Sequence, residues 1–155
     1  MQKVLIITYY WPPAGGPGVQ RWLKFVKYLR DFDVEPIVYI PENPHYPIVD
    51  KSFEKEVPDG IKIIKQPIRE PYQLAGIFSK KESQTISSGI IKDEKEQGFL
   101  QRMMLWVRGN LFIPDARMLW VKPSVKFLYS YLKEHQIETV IPTGPPHSLH
   151  LIGKH

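Results

Sequence analysis

Cysteine is absent from this 155-residue chain, which excludes disulfide bonds, thiolate metal ligands and a cysteine nucleophile. No apolar run approaches the roughly 18 residues that a membrane-spanning helix needs. The N-terminal stretch MQKVLIITYYW has neither an extended cationic lead nor the small-residue cleavage site of a signal peptide. From these absences together we expect a cytoplasmic protein.

Proline, by contrast, is abundant: 15 residues of the chain are proline, about twice the roughly 5% that is usual. Because apolar residues still make up 43% of the chain, the prolines indicate rigid loops between packed elements rather than disorder. The formal net charge of +5 is compatible with an anionic partner. No familiar nucleic-acid-binding motif accompanies the charge, so we expect no nucleic acid partner.

Short apolar runs that contain β-branched residues predict four strands. These runs are KVLIITY (3–9), VEPIVYI (34–40), IKIIKQP (61–67) and ETVIPTG (138–144). Continuous apolar runs are typical of strands buried on both faces of a parallel sheet. Because helical segments separate the strands, we expect an α/β fold with a doubly wound, mostly parallel, Rossmann-like sheet. Pro36 predicts a frayed start to the second strand.

Helical periodicity predicts the segments between the strands. Residues 19–30 have apolar side chains at helical spacing and basic residues on the other faces, which predicts an amphipathic helix. Residues 99–112 and 115–136 also have a helical pattern, and Pro123 predicts a kink or a fresh start in the second of these. A polar stretch over 76–98 is rich in lysine, glutamate and serine, which predicts a mobile loop.

The C-terminal residues HSLHLIGKH predict the first turns of a further helix, capped by Ser148. No strand follows this helix within the 155 residues. We therefore expect residues 1–155 to be one Rossmann-like domain that is truncated at its C-terminal end.

The stretch TYYWPPAGGPGVQRW (8–22) places two prolines and three glycines between the first strand and the first helix. Ligands of parallel α/β sheets bind beyond the carboxyl ends of the strands. Glycines at that edge let backbone N–H groups approach a ligand closely, and the partial positive charge of a helix N-terminus favours an anion. The loop therefore predicts a phosphate-binding site.

Other interpretations of this loop remain open. A dinucleotide-binding fingerprint is only half met, because Arg21 stands at its third glycine position and Glu42 comes only after Pro41. A Walker A loop is excluded, since no Gly-Lys-Ser/Thr follows the glycines. The alternatives are another nucleotide- or NAD-binding Rossmann domain, a loop that only turns the chain, and a non-catalytic binding module.

Three motifs give the chain a resemblance to a known family. KVLIITYYWPPAGGPGVQRWLKFVKYL (3–29) and TVIPTGPPHSLH (139–150) resemble the N-terminal domain of bacterial glycosyltransferase family 4 enzymes, and IPDARMLW (113–120) resembles it more weakly. These enzymes have the GT-B architecture, in which two Rossmann-like domains face each other across a cleft. The resemblance covers essentially the whole chain.

The resemblance implies a transferase that moves a sugar from a nucleotide-sugar donor to a saccharide or lipid-linked acceptor, with retention, in the synthesis of cell-surface polysaccharide. It implies that Gly15 and Gly16 approach the donor diphosphate, with Gly18 supporting the loop. Arg21 and His147 are candidates for contacts with the donor or acceptor. No metal and no cofactor other than the donor are expected.

This sequence also departs from the family pattern. The family's C-terminal domain, which binds the nucleotide and carries a Glu-x7-Glu motif, is not in these 155 residues, so we expect the chain to be inactive alone. Catalytic residues are not identified. His147 and His150 are three residues apart without a third ligand, which argues against a metal site. Peripheral contact with the inner face of the membrane is a further hypothesis, because basic helix faces lie beside aromatic residues.

Overall fold

The computed structural model describes residues 1–70, 106, 109–110 and 112–155. Its strands are β1 (Gln2–Ile7), β2 (Val34–Pro41), β3 (Lys62–Gln66) and β4 (Thr139–Pro142), and its α-helices are α1 (Pro17–Leu29), α2 (Met118–His135) and α3 (Ser148–Lys154). Short 3₁₀ helices cover Arg30–Phe32 and Lys51–Glu56. The predicted loop over 76–98 lies outside the described residues, as does most of the predicted helix over 99–112.

The strands form one four-stranded sheet in the order β3-β2-β1-β4. Every neighbouring pair is parallel, and the register places Leu5 beside Ile37 and beside Val140. The predicted α/β fold with a parallel, Rossmann-like sheet is confirmed. Consecutive strands are joined by crossovers, which is how parallel strands must be connected.

The alternating side chains of β1 divide the core into two layers. Leu5 and Ile7 face one layer, which contains Trp120 and Leu128 from α2 and residues of α3. Val4 and Ile6 face the other layer, which contains the buried side of α1. Because successive strand residues point to opposite faces, an unbroken apolar strand needs helices on both sides. The sheet is therefore covered on both faces.

Three local predictions receive an answer here. Pro36 precedes the part of β2 that pairs with β3, in agreement with a frayed start. Pro123 neither kinks nor restarts a helix, because α2 runs through it and Pro123 lies on the exposed side. The prediction that Ser148 caps α3 is wrong: His147 occupies the N-cap without a capping side-chain bond, and the Ser148 hydroxyl donates to Asp115 instead.

Candidate functional site

A pocket of about 430 Å³ lies at the carboxyl edge of the sheet. The loop after β1, the first turn of α1, residues 47–48 and the loop after β4 enclose it. This is the edge at which parallel α/β sheets bind their ligands. The sequence prediction therefore holds in one respect: the glycine-rich loop lines a pocket instead of only turning the chain.

The glycine-rich loop is fixed to the neighbouring loop by backbone hydrogen bonds. The N–H of Gly15 donates to the carbonyl of Ile48 over 3.0 Å, and the N–H of Asp50 donates to the carbonyl of Pro13 over 2.8 Å. Ala14 and Val49 form an antiparallel bridge between these bonds. The pocket wall is thus made of two loops that hold each other in place.

Gly15 has a packing role in this arrangement. Its amide N–H is already donated to Ile48. A Cβ at this position would lie 2.8 Å from the Cγ2 of Ile48, which is too close for any side chain. The close approach of the two loops therefore requires glycine here, and the prediction of phosphate contacts narrows to the amides of Gly16 and Gly18.

Gly16 and Gly18 present backbone N–H groups at the start of α1. Gly16 is the N-cap, with a φ of 108°, and Pro17 follows it without an N–H group. Among the residues that the structure describes, neither glycine amide has a hydrogen-bond partner, because the first bonds of the helix begin at Val19 and Gln20. Two unpaired donors at a helix N-terminus form a site suited to an anion.

Two threonines line the pocket at the ends of β1 and β4. The Thr8 hydroxyl donates to the carbonyl of Tyr10 over 3.2 Å. Thr143 is only 5% exposed, and its hydroxyl has no partner within the described part of the chain. A buried hydroxyl without a partner costs free energy, so Thr143 indicates a ligand that would supply the hydrogen bond.

Arg21 and His147 have different positions relative to the pocket. Arg21 is exposed and lines the pocket one turn into α1. His147 is exposed too, but it is not among the lining residues, whereas the ring of His150 lies against Gly144 at the rim. The two histidine rings are 6.1 Å apart. The structure thus brings Arg21 together with Gly15, Gly16 and Gly18, and leaves His147 outside.

A buried ion pair lies beside the pocket, beyond the ends of β1 and β3. The Glu70 side chain is fully buried, and its carboxylate is 3.2 Å from the Nε of Arg117. It also accepts the Tyr9 hydroxyl over 2.7 Å and the N–H of His45 over 2.9 Å. The Arg117 guanidinium lies 4.6 Å from the centre of the Tyr9 ring. This cluster ties together three separate parts of the chain.

Burial controls the ionisation of the tyrosines in this region. Burial raises the pKa of Tyr9 far above its usual value, although the positive charge of Arg117 opposes the effect. Burial also raises the pKa of Tyr46 to about 12, and its hydroxyl donates to the Tyr9 carbonyl over 3.1 Å. Both phenols therefore remain neutral hydrogen-bond donors at physiological pH.

Asp115 joins the loop before α2 to the start of α3. Its Oδ2 accepts the N–H of Ser148 over 2.8 Å. Its Oδ1 accepts the Ser148 hydroxyl over 2.8 Å and the N–H of Arg117 over 2.9 Å. A carboxylate at a helix N-terminus is favourable, so Asp115 stabilises the start of α3 in the role predicted for Ser148.

Sequence reasoning did not identify Glu70, Arg117, Asp115 or Thr143 as site residues. Arg117 and Asp115 lie in the IPDARMLW stretch, which was noticed only for its resemblance. The available signal for Thr143 was its place directly after an apolar strand, at the ligand-binding edge of a parallel sheet. Nothing in the local sequence links Glu70 to Arg117, because 47 positions separate them (117 minus 70).

Two absences apply to the described part of the chain. It contains no group of three or more side chains that could hold a metal ion. Among its helices, none combines the length and the apolar character needed to cross a bilayer.

Comparison of the chain with protein-family models, with curated proteins and with solved structures gave no match. The geometry of the pocket and the motifs of the sequence are therefore the grounds for assigning a function.

Proposed function

We propose that this chain is the acceptor-side domain of a GT-B glycosyltransferase, which moves a sugar from a nucleotide-sugar donor to a saccharide or lipid-linked acceptor in cell-surface polysaccharide synthesis. One observation carries the proposal. The pocket joins two unpaired glycine amides, a helix N-terminus and the unpaired Thr143 hydroxyl at the carboxyl edge of a parallel sheet. All of these groups suit the phosphate oxygens of a nucleotide sugar.

The proposed chemistry also fits the kind of groups that line the pocket. Glycosyl transfer from a nucleotide sugar releases a diphosphate, so donors that stabilise the developing negative charge promote the reaction. The amides of Gly16 and Gly18 and the cationic Arg21 are such groups. The resemblance of residues 3–29 and 139–150 to family 4 enzymes supplies the reaction type.

The NAD-binding alternative is less well supported. A dinucleotide site uses an acidic residue at the end of the second strand to bind a ribose hydroxyl. Glu42 follows β2 directly, but it is exposed and is not among the described residues that line the pocket. Arg21 occupies the third glycine position of the fingerprint and adds a bulky side chain where close helix–strand packing is required.

A titration followed by NMR tests the proposal. The ¹⁵N-labelled chain is titrated separately with inorganic pyrophosphate, a panel of nucleotide sugars and NAD⁺. We expect pyrophosphate and at least one nucleotide sugar to shift the amide resonances of Gly16 and Gly18, while the amide of Gly15 shifts less because it already donates to Ile48. Shifts with NAD⁺ alone would support the dinucleotide alternative, and no shift with any probe would refute phosphate binding.

The Thr143 hydroxyl is expected to matter for binding and not for folding. Changing Thr143→Val removes a hydroxyl that has no partner in the described structure, so the free energy of unfolding should not fall. The affinity for pyrophosphate should fall about five- to tenfold, which corresponds to one hydrogen bond of about 1 kcal/mol. Calorimetric titration and urea unfolding measure the two effects.

Thr8→Val is the matched control, because the Thr8 hydroxyl does have a partner, the Tyr10 carbonyl. This variant should lose about 1 kcal/mol of stability, since it leaves a partly buried carbonyl unpaired. If Thr143→Val bound pyrophosphate as tightly as the original chain, the hydroxyl would not contact the ligand.

A further inference from the structure

The outer face of α1 carries an exposed aromatic stripe, which we define as Phe25, Tyr28 and Phe32. Their exposed fractions are 52%, 50% and 77%. The spacings of three and four residues place the three rings on one side of the helix and its short 3₁₀ extension. The buried side of α1 is formed by other residues, so the stripe faces away from the core. Contiguous exposed apolar surface of this kind marks a binding surface.

The stripe begins at the pocket. Trp22 lines the pocket, and its ring centre is 5.4 Å from that of Phe25. Arg21 also lines the pocket and precedes Phe25 by four residues, which is one helical turn. From Trp22 to Phe32 the helical rise corresponds to about 15 Å. A molecule bound in the pocket could therefore extend directly onto a continuous apolar track.

Charges along α1 give this track a direction. Arg21, Lys24 and Lys27 lie in the half nearer the pocket, and Asp31 and Asp33 lie beyond its far end. Glu56 neutralises Lys24 over 2.9 Å, but Arg21 has no ion pair among the described residues. An anionic group is therefore attracted to the pocket end of the stripe and repelled from the Phe32 end.

We propose that the acceptor is an amphiphile, in which an apolar chain is joined through phosphate to the hydroxyl-bearing saccharide that receives the sugar. The chain lies on Phe25, Tyr28 and Phe32, the phosphate contacts Arg21, and the saccharide lies in the pocket. This inference rests on the proposed function, in which Gly16, Gly18 and Thr143 hold the donor phosphates. The unpaired, buried Thr143 hydroxyl points to a ligand independently of the helix N-terminus.

The transfer step is balanced with these groups. The acceptor hydroxyl oxygen forms a bond to the anomeric carbon of the donor sugar. The bond from that carbon to the diphosphate oxygen breaks, and the departing nucleoside diphosphate takes the electron pair. The hydroxyl proton goes to the diphosphate, so no further reactant is required.

Calorimetric titration with farnesyl phosphate and dimethylallyl phosphate tests the inference, because these probes share a phosphate and differ in the length of the apolar chain. The titrations are made below the concentration at which farnesyl phosphate forms micelles. We expect the full chain to bind farnesyl phosphate at least tenfold more tightly, since each methylene that is buried adds to the affinity. The double variant Phe25→Ser/Phe32→Ser should lose this preference.

Tyr129→Ser is the matched control, because Tyr129 is a similarly exposed aromatic residue, 59% exposed, on α2. It should keep the preference for the longer chain. Folding is not at risk in these variants, since all the substituted side chains are exposed. Equal affinity for the two probes, or a preference that survives in the double variant, would overturn the inference.

Two further measurements separate this inference from its competitors. Pyrophosphate titration of the same samples tests the donor site: binding of pyrophosphate without chain-length dependence would refute only the amphiphile, whereas no pyrophosphate binding would refute the proposed function. Vesicles of phosphatidylglycerol test the stripe as a membrane contact. Binding to these vesicles together with equal affinity for the two prenyl phosphates would assign the stripe to the bilayer surface and overturn the inference.

Discussion

Replacing Glu70 by alanine is expected to lower the free energy of unfolding by about 3–5 kcal/mol, because the change leaves the charge of Arg117 buried without its partner. The Glu70 side chain is 0% exposed and that of Arg117 is 12% exposed. The variant also removes the acceptor of the Tyr9 hydroxyl and of the His45 amide. Urea unfolding followed by circular dichroism measures the loss.

Two controls make this prediction sharp. Glu56→Ala removes the exposed carboxylate that pairs with Lys24, and surface pairs of this kind contribute little to stability, so its unfolding curve should match that of the original chain within error. The double change Glu70→Leu/Arg117→Met replaces the ion pair with apolar groups and should recover part of the loss. A stability loss for Glu70→Ala no larger than that for Glu56→Ala would contradict the buried-pair account.

The Glu70 cluster also has a consequence for the pocket. Glu70 holds the backbone of His45, and Tyr46 donates its hydroxyl to the Tyr9 carbonyl. The same loop continues to Ile48, which accepts the Gly15 amide and lines the pocket. The buried ion pair therefore anchors the loop that positions one pocket wall, although it contributes no group to the pocket itself.

Local sequence patterns predicted the framework well. Each strand is a short apolar run, and the period of α1 is visible in its own residues, so the parallel α/β fold could be derived without any long-range contact. The glycine-rich loop was located for the same reason: its position between a strand and a helix determines the edge of the sheet on which it lies.

The contacts that complete the site could not be predicted in this way. Glu70 and Arg117 meet only after the sheet and α2 have packed, and neither residue has a local pattern that marks a partner. Ser148 illustrates the opposite error. Its type and position are those of a helix cap, but Asp115 from a distant loop supplies a stronger acceptor for the N–H at the start of α3. Gly15 has the expected loop position, yet its amide is occupied by Ile48.

The second large effect is expected at Gly16, where Gly16→Val should lower the affinity for pyrophosphate at least tenfold. The φ of 108° and ψ of 169° at Gly16 belong to a region that is essentially restricted to glycine. An L-residue there costs about 1–3 kcal/mol, or the backbone turns to relieve the strain. Turning this peptide reorients the amides at the start of α1. Calorimetric titration at a temperature well below unfolding separates the binding loss from instability.

Gly18→Ala is the control for adding a side chain to the same loop. Gly18 lies in the first turn of α1, and a Cβ there would meet no atom within 4 Å. The free energy of unfolding should therefore rise by up to about 0.5–1 kcal/mol, as when alanine replaces glycine in a helix. A similar loss of stability in both glycine variants would indicate that the loop rejects any side chain.

Handedness distinguishes backbone strain from blocking of the pocket. A Cβ at Gly16 would also meet no atom within 4 Å, so a steric clash does not explain the expected loss. The mirror image of the Gly16 conformation is ordinary extended backbone, which a D-residue adopts without strain. Chemical ligation of a chain with D-alanine at position 16 should therefore retain stability and pyrophosphate binding, while L-alanine at the same position loses both. Equal losses for the two enantiomers would place the cause in the volume of the side chain, and the role assigned to the Gly16 backbone would be wrong.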